Sequence, residues 1–216
     1  MIVTWHQVNF IPGRSVMEKV AAADAVIWMD TMQYERHGFV NRNRLSDGAW
    51  MTVPVEEHDT FAPINRVRIA DPTFHARKKI AKTLRYTLGT AGEPYALELL
   101  KPYRLLVGLN YQLLRLLMAD LGIATAPHFQ SHLDAGHAVP VTDYEPGEGD
   151  LLPARERLAM MVEEIGGSVW LSGPSGSRYL NEMPFHERGI EVRYFDWPEG
   201  TPNPSAIEAL KERVAA

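Results

Sequence analysis

The first thirty residues place one amphipathic stretch between two apolar runs. Residues 2–5 and 25–29 are apolar and β-branched, as is typical of buried strands, and Val16, Val20 and Ala23 recur at helical spacing within residues 14–24. Strand, helix and strand in this order predict a βαβ unit with parallel strands. His6 and Asp30 then follow the two strands, at the edge where open α/β sheets bind ligands.

The middle of the chain is predicted to be mostly helical. Residues 49–55 and 67–70 are expected to form a strand pair around the acidic turn 56–59. A helix is expected over 74–88, after Asp71-Pro72-Thr73, and two more over 94–103 and 105–121. The pattern of the first of these helices puts its apolar side chains inward and four bases outward: Arg77, Lys78, Lys82 and Arg85.

The last third repeats the strand, turn and helix pattern. A surface connection over 134–152 leads to a helix over 153–165, a strand over 169–171 and a glycine-rich turn that opens a helix over 178–187. A strand over 190–195 and a helix over 204–214 complete the chain. We therefore predict one α/β domain over residues 1–216, with a Rossmann-like parallel sheet and flanking helices.

The amino-acid composition excludes several classes of function and of chemical site. The chain of 216 residues has 22 Lys and Arg against 27 Asp and Glu, a net charge of −5, which argues against binding nucleic acid by bulk positive charge. Cysteine is absent, which excludes disulfides, thiolate nucleophiles and cysteine-ligated metals. The N-terminus lacks the features of a secretion signal and no apolar run is long enough to cross a membrane, so we expect a soluble, cytoplasmic protein.

Three polar segments could carry chemistry. In the first, residues 6–13, His6 could exchange a proton and the following helix could hold an anion at its N-terminus, with Gln7 and Asn9 beside it. The alternative is that His6 and Asn9 only satisfy the backbone of a tight loop.

The second segment, residues 30–44, is rich in hydrogen-bond donors suited to phosphate or carboxylate oxygens. Its alternative is a solvated loop whose arginines pair with nearby glutamates. The candidate residues here are Asp30, Gln33, Tyr34, Arg36, Asn41, Arg42 and Asn43.

The third segment is the glycine-rich turn after the strand at 169–171. Small residues let backbone amides approach an anion and Arg178 adds charge, although the lysine and spacing of a P-loop are missing. On local sequence alone, a serine and glycine turn with a helix cap is the commoner case. The candidate phosphate ligands are Ser172, Gly173, Ser175, Gly176, Ser177 and Arg178.

Two further clusters are weaker signals. The bases on helix 74–88 could contact DNA or a partner, although such a run is usually a solvated face. His128, His132 and His137 are spaced four and five residues apart, but lie in a loop-like segment without a carboxylate cluster, so we predict no metal site.

Taken in order, these motifs resemble the WbqC-like protein family. The resemblance spans most of the chain and is carried by four groups of residues: His6-Gln7 with Asn9-Phe10 and Pro12; Asp30 with Gln33-Tyr34, Arg36 and Asn41-Arg42-Asn43; Thr52-Val53-Pro54-Val55; and Leu171-Ser172-Gly173-Pro174 with Gly176 and Tyr179-Leu180. The chain departs from the family pattern at Val8, where the family usually has proline.

The resemblance implies a transferase of bacterial surface-polysaccharide biosynthesis, O-antigen included, and phage relatives resemble amino acid:DNA transferases. The hypothesis is therefore transfer of a small amine, such as an amino acid, to a phosphate- or nucleotide-activated acceptor, either modified DNA or a nucleotide sugar, in a bacterial cell or a phage-infected host. His6 or Asp30 would take the proton of the amine, and the arginines would neutralise the leaving phosphate. This hypothesis assigns no cofactor.

Two alternatives stay open. The loops after the first and the late strand also resemble those of HIGH-superfamily nucleotidyltransferases, which implies magnesium with a nucleotide. The other alternative is a binding subunit without catalytic activity.

Overall fold

The computed structural model describes residues 1–57, 62–137, 154–178, 180–198 and 200–210, with only the backbone of 137, 154 and 155. By packing, the chain divides into two compact units. The first contains residues 1–7, 18–33 and 125–201, and the second contains residues 8–17, 34–124 and 202–216. The sequence predicts that the whole chain forms one domain, and this stays a prediction.

The first unit contains a five-stranded, all-parallel sheet, which confirms the predicted α/β class. In chain order its strands are β1 (Ile2–Gln7), β2 (Ala25–Met29), β5 (Ala126–Phe129), β6 (Val169–Ser172) and β7 (Glu191–Tyr194). Across the sheet they lie in the order β5-β2-β1-β6-β7. Counting only the parallel strands, this order is 3-2-1-4-5, as in Rossmann-like sheets.

One face of this sheet carries the apolar core of the first unit. Val3, Ile27 and Trp170 project from three neighbouring strands into a buried cluster. Three helices contribute to the cluster, α5 (Asp134–His137), α6 (Ala154–Glu164) and α7 (Met183–His186). The Trp170 ring stacks between those of Trp5 and Phe185, with centroid separations of 6.1 and 5.3 Å.

The second unit is mainly helical. Its helices are α2 (His75–Leu88), α3 (Glu93–Leu99) and α4 (Leu106–Asp120). As predicted, α2 ends at Gly89, which has a positive φ of 59°, and α4 is apolar around most of its surface and has many buried residues. Asn110 lies inside this unit, where its amide nitrogen donates to the carbonyls of Val8 and Val40, both at 2.7 Å.

Two short helices remain. The helix α1 (Arg14–Ala21) has residues 14–17 in the second unit and residues 18–21 in the first, and α5 (Asp134–His137) belongs to the first unit. The predicted surface connection over 134–152 begins with α5 and otherwise lies outside the described residues.

The strand pairing of the second unit differs from the prediction. Strand β4 (Trp50–Thr52) pairs antiparallel with β3 (Arg42–Arg44), inside the segment expected to be a loop. The expected partner segment 67–70 meets the predicted strand 49–55 at one bridge, between Val55 and Ile69, and forms a second bridge from Arg68 to Leu105. Only the central residue of β3 is buried, and all three residues of its Arg-Asn-Arg sequence are polar. The strand therefore lacks the alternation of apolar and polar residues by which strands are recognised in a sequence.

The helix predicted after the glycine-rich turn is wrong in extent. Instead of a helix over 178–187, the structure has a 3₁₀ turn at Pro174–Arg178 and then the four residues of α7. In the region predicted as helix 204–214, a 3₁₀ turn at Ala206–Glu208 is followed by helical residues 209 and 210. Residues 211–214 lie outside the described residues, so the extent of this helix stays a prediction.

Candidate functional site

The pairing of β1 with β6 stops early. The two strands pair only through Ile2 with Val169 and Val3 with Trp170, and the Thr4 hydroxyl then donates to the Leu171 carbonyl at 2.8 Å. Sheet order reverses between these two strands, because the chain continues outward from β1 on one side and from β6 on the other. In open α/β sheets this switch point is where ligands bind.

Lys19 of α1 lies at this switch point. Its ammonium donates to the Trp5 carbonyl at 2.9 Å, beyond the last β1–β6 pair, and lies 6.0 Å from the centroid of the Trp5 ring. The residue is only 8% exposed, and burial lowers its pKa to about 8. No carboxylate in the described part of the chain forms an ion pair with it. Since an ammonium has three N–H donors, two can serve an anion.

His6 is the second ionisable group at the switch point. Burial and the charge of Lys19 together lower its pKa to about 3, so its imidazole is neutral near neutral pH. A neutral imidazole can accept a proton or a hydrogen bond. An anion bound beside Lys19 would favour the charged forms of both groups and raise both pKa values.

Asp30 is buried directly after β2. One of its carboxylate oxygens accepts from the Ser131 amide at 2.9 Å and the other from the Ser131 hydroxyl at 2.6 Å. These bonds hold the end of β2 to the turn that follows β5. Two occupied oxygens favour a positioning role, and the predicted role of Asp30 as a base stays a prediction.

The serine- and glycine-rich turn follows β6, at the same sheet edge as His6. Gly176 packs so closely on Ser172 that a Cβ atom there would lie 2.2 Å from the serine oxygen, so a larger residue would displace the Ser172 hydroxyl. Ser175, Ser177 and Arg178 are exposed. Three donor-bearing side chains are thus presented to solvent at the sheet edge, and their binding of phosphate stays a prediction.

The predicted substrate ligands of the second unit are engaged with its backbone. The buried Asn41 amide donates to the Val53 carbonyl at 3.0 Å, and that of Asn43 to the carbonyl of Ile11. The Arg42 guanidinium donates to the carbonyls of His37 and Gly38. Tyr34 is buried too, with a pKa raised mainly by burial. These contacts favour a structural role for the residues that make them. Arg36, by contrast, is exposed.

Comparison with known sequences identifies the family. The sequence model of the WbqC-like protein family matches residues 7–204. This chain belongs to the WbqC-like protein family. It is 31% identical over 203 residues to the uncharacterized protein Rv1507c of Mycobacterium tuberculosis, a match that covers 88% of this chain and 80% of that protein. No solved structure matches the chain.

One predicted contact residue of this WbqC-like protein is misplaced by the sequence analysis. Arg77 was expected on the outer face of α2 but is only 2% exposed. Its guanidinium donates to the Asp71 carboxylate at 3.3 Å and to the Lys101 carbonyl at 3.0 Å. The helical spacing was right, but an arginine with a buried carboxylate partner can occupy an inward position.

The remaining bases of α2 differ in availability. Lys78 and Lys82 are exposed as predicted. Arg85 is also exposed, but both carboxylate oxygens of Glu93 accept from its guanidinium, at 2.6 and 2.9 Å. The outer face of α2 therefore offers lysines rather than arginines to a ligand.

Two negative findings concern the described residues alone. Nowhere within them do three His, Asp or Glu side chains come together in a way that could hold a metal ion, His128 and His132 included, and the side chain of His137 lies outside them. No helix among them is long and apolar enough to span a membrane.

Two candidate functional residues were not predicted from the sequence. They are Lys19, which is buried at the switch point, and Trp50, which is exposed. Lys19 lies three residues after Val16 and four before Ala23, on the inward stripe of α1, and a lysine on an apolar stripe is the signal that would have revealed it. Trp50 alternates with the buried Met51, so strand parity places its side chain on the outer face.

Proposed function

We propose that this WbqC-like protein is a transferase that joins a small amine, such as an amino acid, to a phosphate- or nucleotide-activated acceptor. The acceptor belongs to bacterial surface-glycan decoration or to hypermodified phage DNA. The observation that carries the proposal is Lys19, a buried ammonium at the switch point of the sheet with which no carboxylate of the described residues pairs. Burying an uncompensated charge is costly, and an anionic substrate would supply the missing partner.

In this proposal Lys19 binds the leaving phosphate, with Arg178 and the serines of its turn as further donors. Such groups stabilise the negative charge that grows on the leaving group in the transition state. They act strongly here because the ammonium is shielded from water.

His6 serves as the general base. An amino acid arrives as an ammonium, which is not a nucleophile, and His6 takes one proton from it. The nitrogen lone pair then attacks the carbon that bears the phosphate: a C–N bond forms, the C–O bond breaks, and its electron pair leaves with the phosphate. With a pKa of about 3 the imidazole is a weak base until the phosphate is bound and raises that pKa. Substrate binding thus activates the base.

The test supplies both acceptor classes to the purified protein. An oligonucleotide carrying a phosphorylated hydroxymethyl pyrimidine and a uridine diphosphate sugar are each incubated with ¹⁵N-labelled amino acids, and the products are digested and weighed by mass spectrometry. We expect an amino-acid adduct on one acceptor, with loss of phosphate or of the nucleotide.

The variants Lys19→Met and Arg85→Met make a matched pair. The first should lower the rate by about 100-fold or more, as removal of one anion-stabilising donor does, and the second, at an exposed α2 residue already paired with Glu93, should leave it unchanged. Lys19→Arg keeps the charge and should retain part of the rate. The absence of any adduct on both acceptors, or equal rates for wild type and Lys19→Met, would overturn the proposal.

A second candidate is a HIGH-like nucleotidyltransferase. The strand order 3-2-1-4-5 and the serine-rich turn after the fourth parallel strand favour it. Such an enzyme would release pyrophosphate from ATP or CTP and require magnesium. Magnesium-dependent pyrophosphate release in the same reactions, without an amino-acid adduct, would replace the first proposal by this one.

A further inference from the structure

The second unit exposes two aromatic rings side by side. Phe39 is 53% exposed and Trp50 is 48% exposed, and their rings stack with centroids 6.4 Å apart. Large exposed apolar side chains that cluster, rather than occur singly, mark binding surfaces. We call Phe39, Trp50 and the guanidinium of Arg44 the aromatic platform.

Positive charge accompanies the rings. The guanidinium carbon of Arg44 lies 5.7 Å from the centroid of the Trp50 ring, and that of Arg42 lies 4.4 Å from it. Arg42 is committed to backbone carbonyls, whereas Arg44 is exposed. A guanidinium over the edge of an aromatic pair is suited to a ligand that combines a flat ring with an anion.

The platform is held in place before any ligand binds. Arg44 and Trp50 are paired residues of the β3–β4 hairpin, whose turn is closed by Gly48 at a φ of +88°. Within that turn, the Ser46 amide and hydroxyl both donate to the Glu208 carboxylate, at 2.8 and 2.7 Å. Phe39 is fixed through its carbonyl, which accepts from the Phe10 amide at 3.0 Å. Preorganised groups bind with less entropic cost.

A groove of about 680 Å³ adjoins the platform, which is large enough for a nucleotide. Its charged lining consists of Arg44 at the strand and Asp47 at the turn. One oxygen of Asp47 accepts from the Ala49 amide at 2.8 Å, and this carboxylate disfavours an anion at the turn end. A phosphate is therefore expected at the Arg44 end, with a hydroxyl-bearing group towards Asp47.

We propose that the aromatic platform binds a nucleotide, with the base stacked on Phe39 and Trp50 and a phosphate on Arg44. Bases stack on aromatic side chains irrespective of their sequence, and arginine binds phosphate through paired donors. The nucleotide can come from a free nucleotide sugar or from a nucleic-acid strand. Its identification with the acceptor rests on the proposed function, but the binding itself does not.

The experiment measures binding without turnover. The full chain is titrated with uridine, uridine diphosphate, a uridine diphosphate sugar and a single-stranded thymidine decamer, by calorimetry and by tryptophan fluorescence. Trp50 is the most exposed of the described tryptophans, so stacking should quench part of the emission. Stronger binding of the decamer than of the mononucleotides assigns the site to nucleic acid, and stronger binding of the uridine diphosphate sugar assigns it to free nucleotides.

The variants separate stacking from charge. Trp50→Ala should abolish the quenching and weaken every probe by about 5- to 150-fold, the range for one stacked base. Arg44→Ala should weaken uridine diphosphate much more than uridine. Tyr86→Ala removes a ring that is 92% exposed on α2 and should change nothing.

Three outcomes would overturn the proposal. One is the absence of binding by all four probes, and another is an equal loss in Trp50→Ala and Tyr86→Ala. The third is self-association through the platform, seen as a concentration-dependent mass that Trp50→Ala removes while the nucleotide titrations stay flat. Failure of amine transfer with retained binding would refute the proposed function but not the platform.

Discussion

At the scale of single residues, the switch point places two side chains where their charged forms are disfavoured. His6 and Lys19 both have lowered pKa values, because burial acts on each and Lys19 adds repulsion on His6. The folded protein therefore binds fewer protons than the unfolded chain between pH 3 and 6.5 at His6, and between pH 8 and 10.5 at Lys19. In both windows the free energy of unfolding rises with pH.

The expected rise of stability between pH 3 and 6.5 can be tested with the variant His6→Gln. Between pH 6.5 and 4.5 the unfolded wild type gains a proton at this position that the folded protein does not, so wild type should lose roughly 2 to 3 kcal/mol more stability than the variant. Denaturant unfolding of both proteins at several pH values in this range measures the difference. Parallel stability curves would mean that His6 is solvated and that the switch point is not a low-dielectric site.

At the scale of elements, prediction from sequence succeeded where an apolar pattern is uninterrupted. The buried run of β2 and the apolar surface of α4 are recognisable because most positions contribute to the core. Strand β3 and the 3₁₀ turn at Pro174–Arg178 bury little apolar surface, so their conformations depend on tertiary contacts that no local pattern encodes. The outward position predicted for Arg77 is wrong for the same reason, since the burial of Arg77 depends on its ion pair with Asp71.

Two ion pairs at α2 allow a prediction about burial. Asp71 accepts from the amides of Ala76 and Arg77 and from the Arg77 guanidinium; burial alone would raise its pKa, but these hydrogen bonds outweigh burial and lower it. Asp71→Ala should cost about 3 kcal/mol or more, because it removes the helix cap and leaves a buried guanidinium unpaired.

The matched control is Arg85→Ala, which breaks the exposed pair with Glu93 on the same helix. Solvent screens that pair, so the melting temperature should change little. Thermal and urea unfolding of the two variants beside wild type provide the comparison. A large loss for Arg85→Ala, or a negligible one for Asp71→Ala, would contradict the assigned burial of the two pairs.

At the scale of the whole molecule, local patterns predict four of the five parallel strands but neither β5 nor the strand order. The parallel strands β5 and β6 are neighbours along the chain, yet they lie three positions apart in the sheet. This separation creates the switch point, so the location of Lys19 at it, unlike the burial of Lys19, could be recognised only in the fold. The sequence pattern places His6 at the same sheet edge, and the role of that edge as the site stays a prediction.

The charge distribution of the whole chain leads to the last prediction, which concerns binding to DNA. The net charge is −5, so any affinity for DNA must come from a local face. The sequence pattern on α2 suggests four engaged bases and a slope of −3 to −4 for the logarithm of affinity against the logarithm of salt, at about 0.7 to 0.9 per contact. With Arg77 buried and Arg85 paired, three exposed lysines remain, Lys78, Lys79 and Lys82, and the expected slope becomes about −2 to −3.

Lys78→Ala combined with Lys82→Ala should reduce that slope to about −1, since one phosphate contact is left. The control with the same net charge is Arg85→Ala combined with Arg193→Ala, which removes two guanidiniums already paired with Glu93 and Glu191 and should leave the slope near its wild-type value. Titration of a labelled duplex at constant pH over a range of salt concentrations gives all three slopes. A flat wild-type curve would exclude DNA contact by α2 and favour a nucleotide sugar as the acceptor, whereas equal slopes for the two double variants would show that bulk charge, and not the lysine face, attracts the DNA.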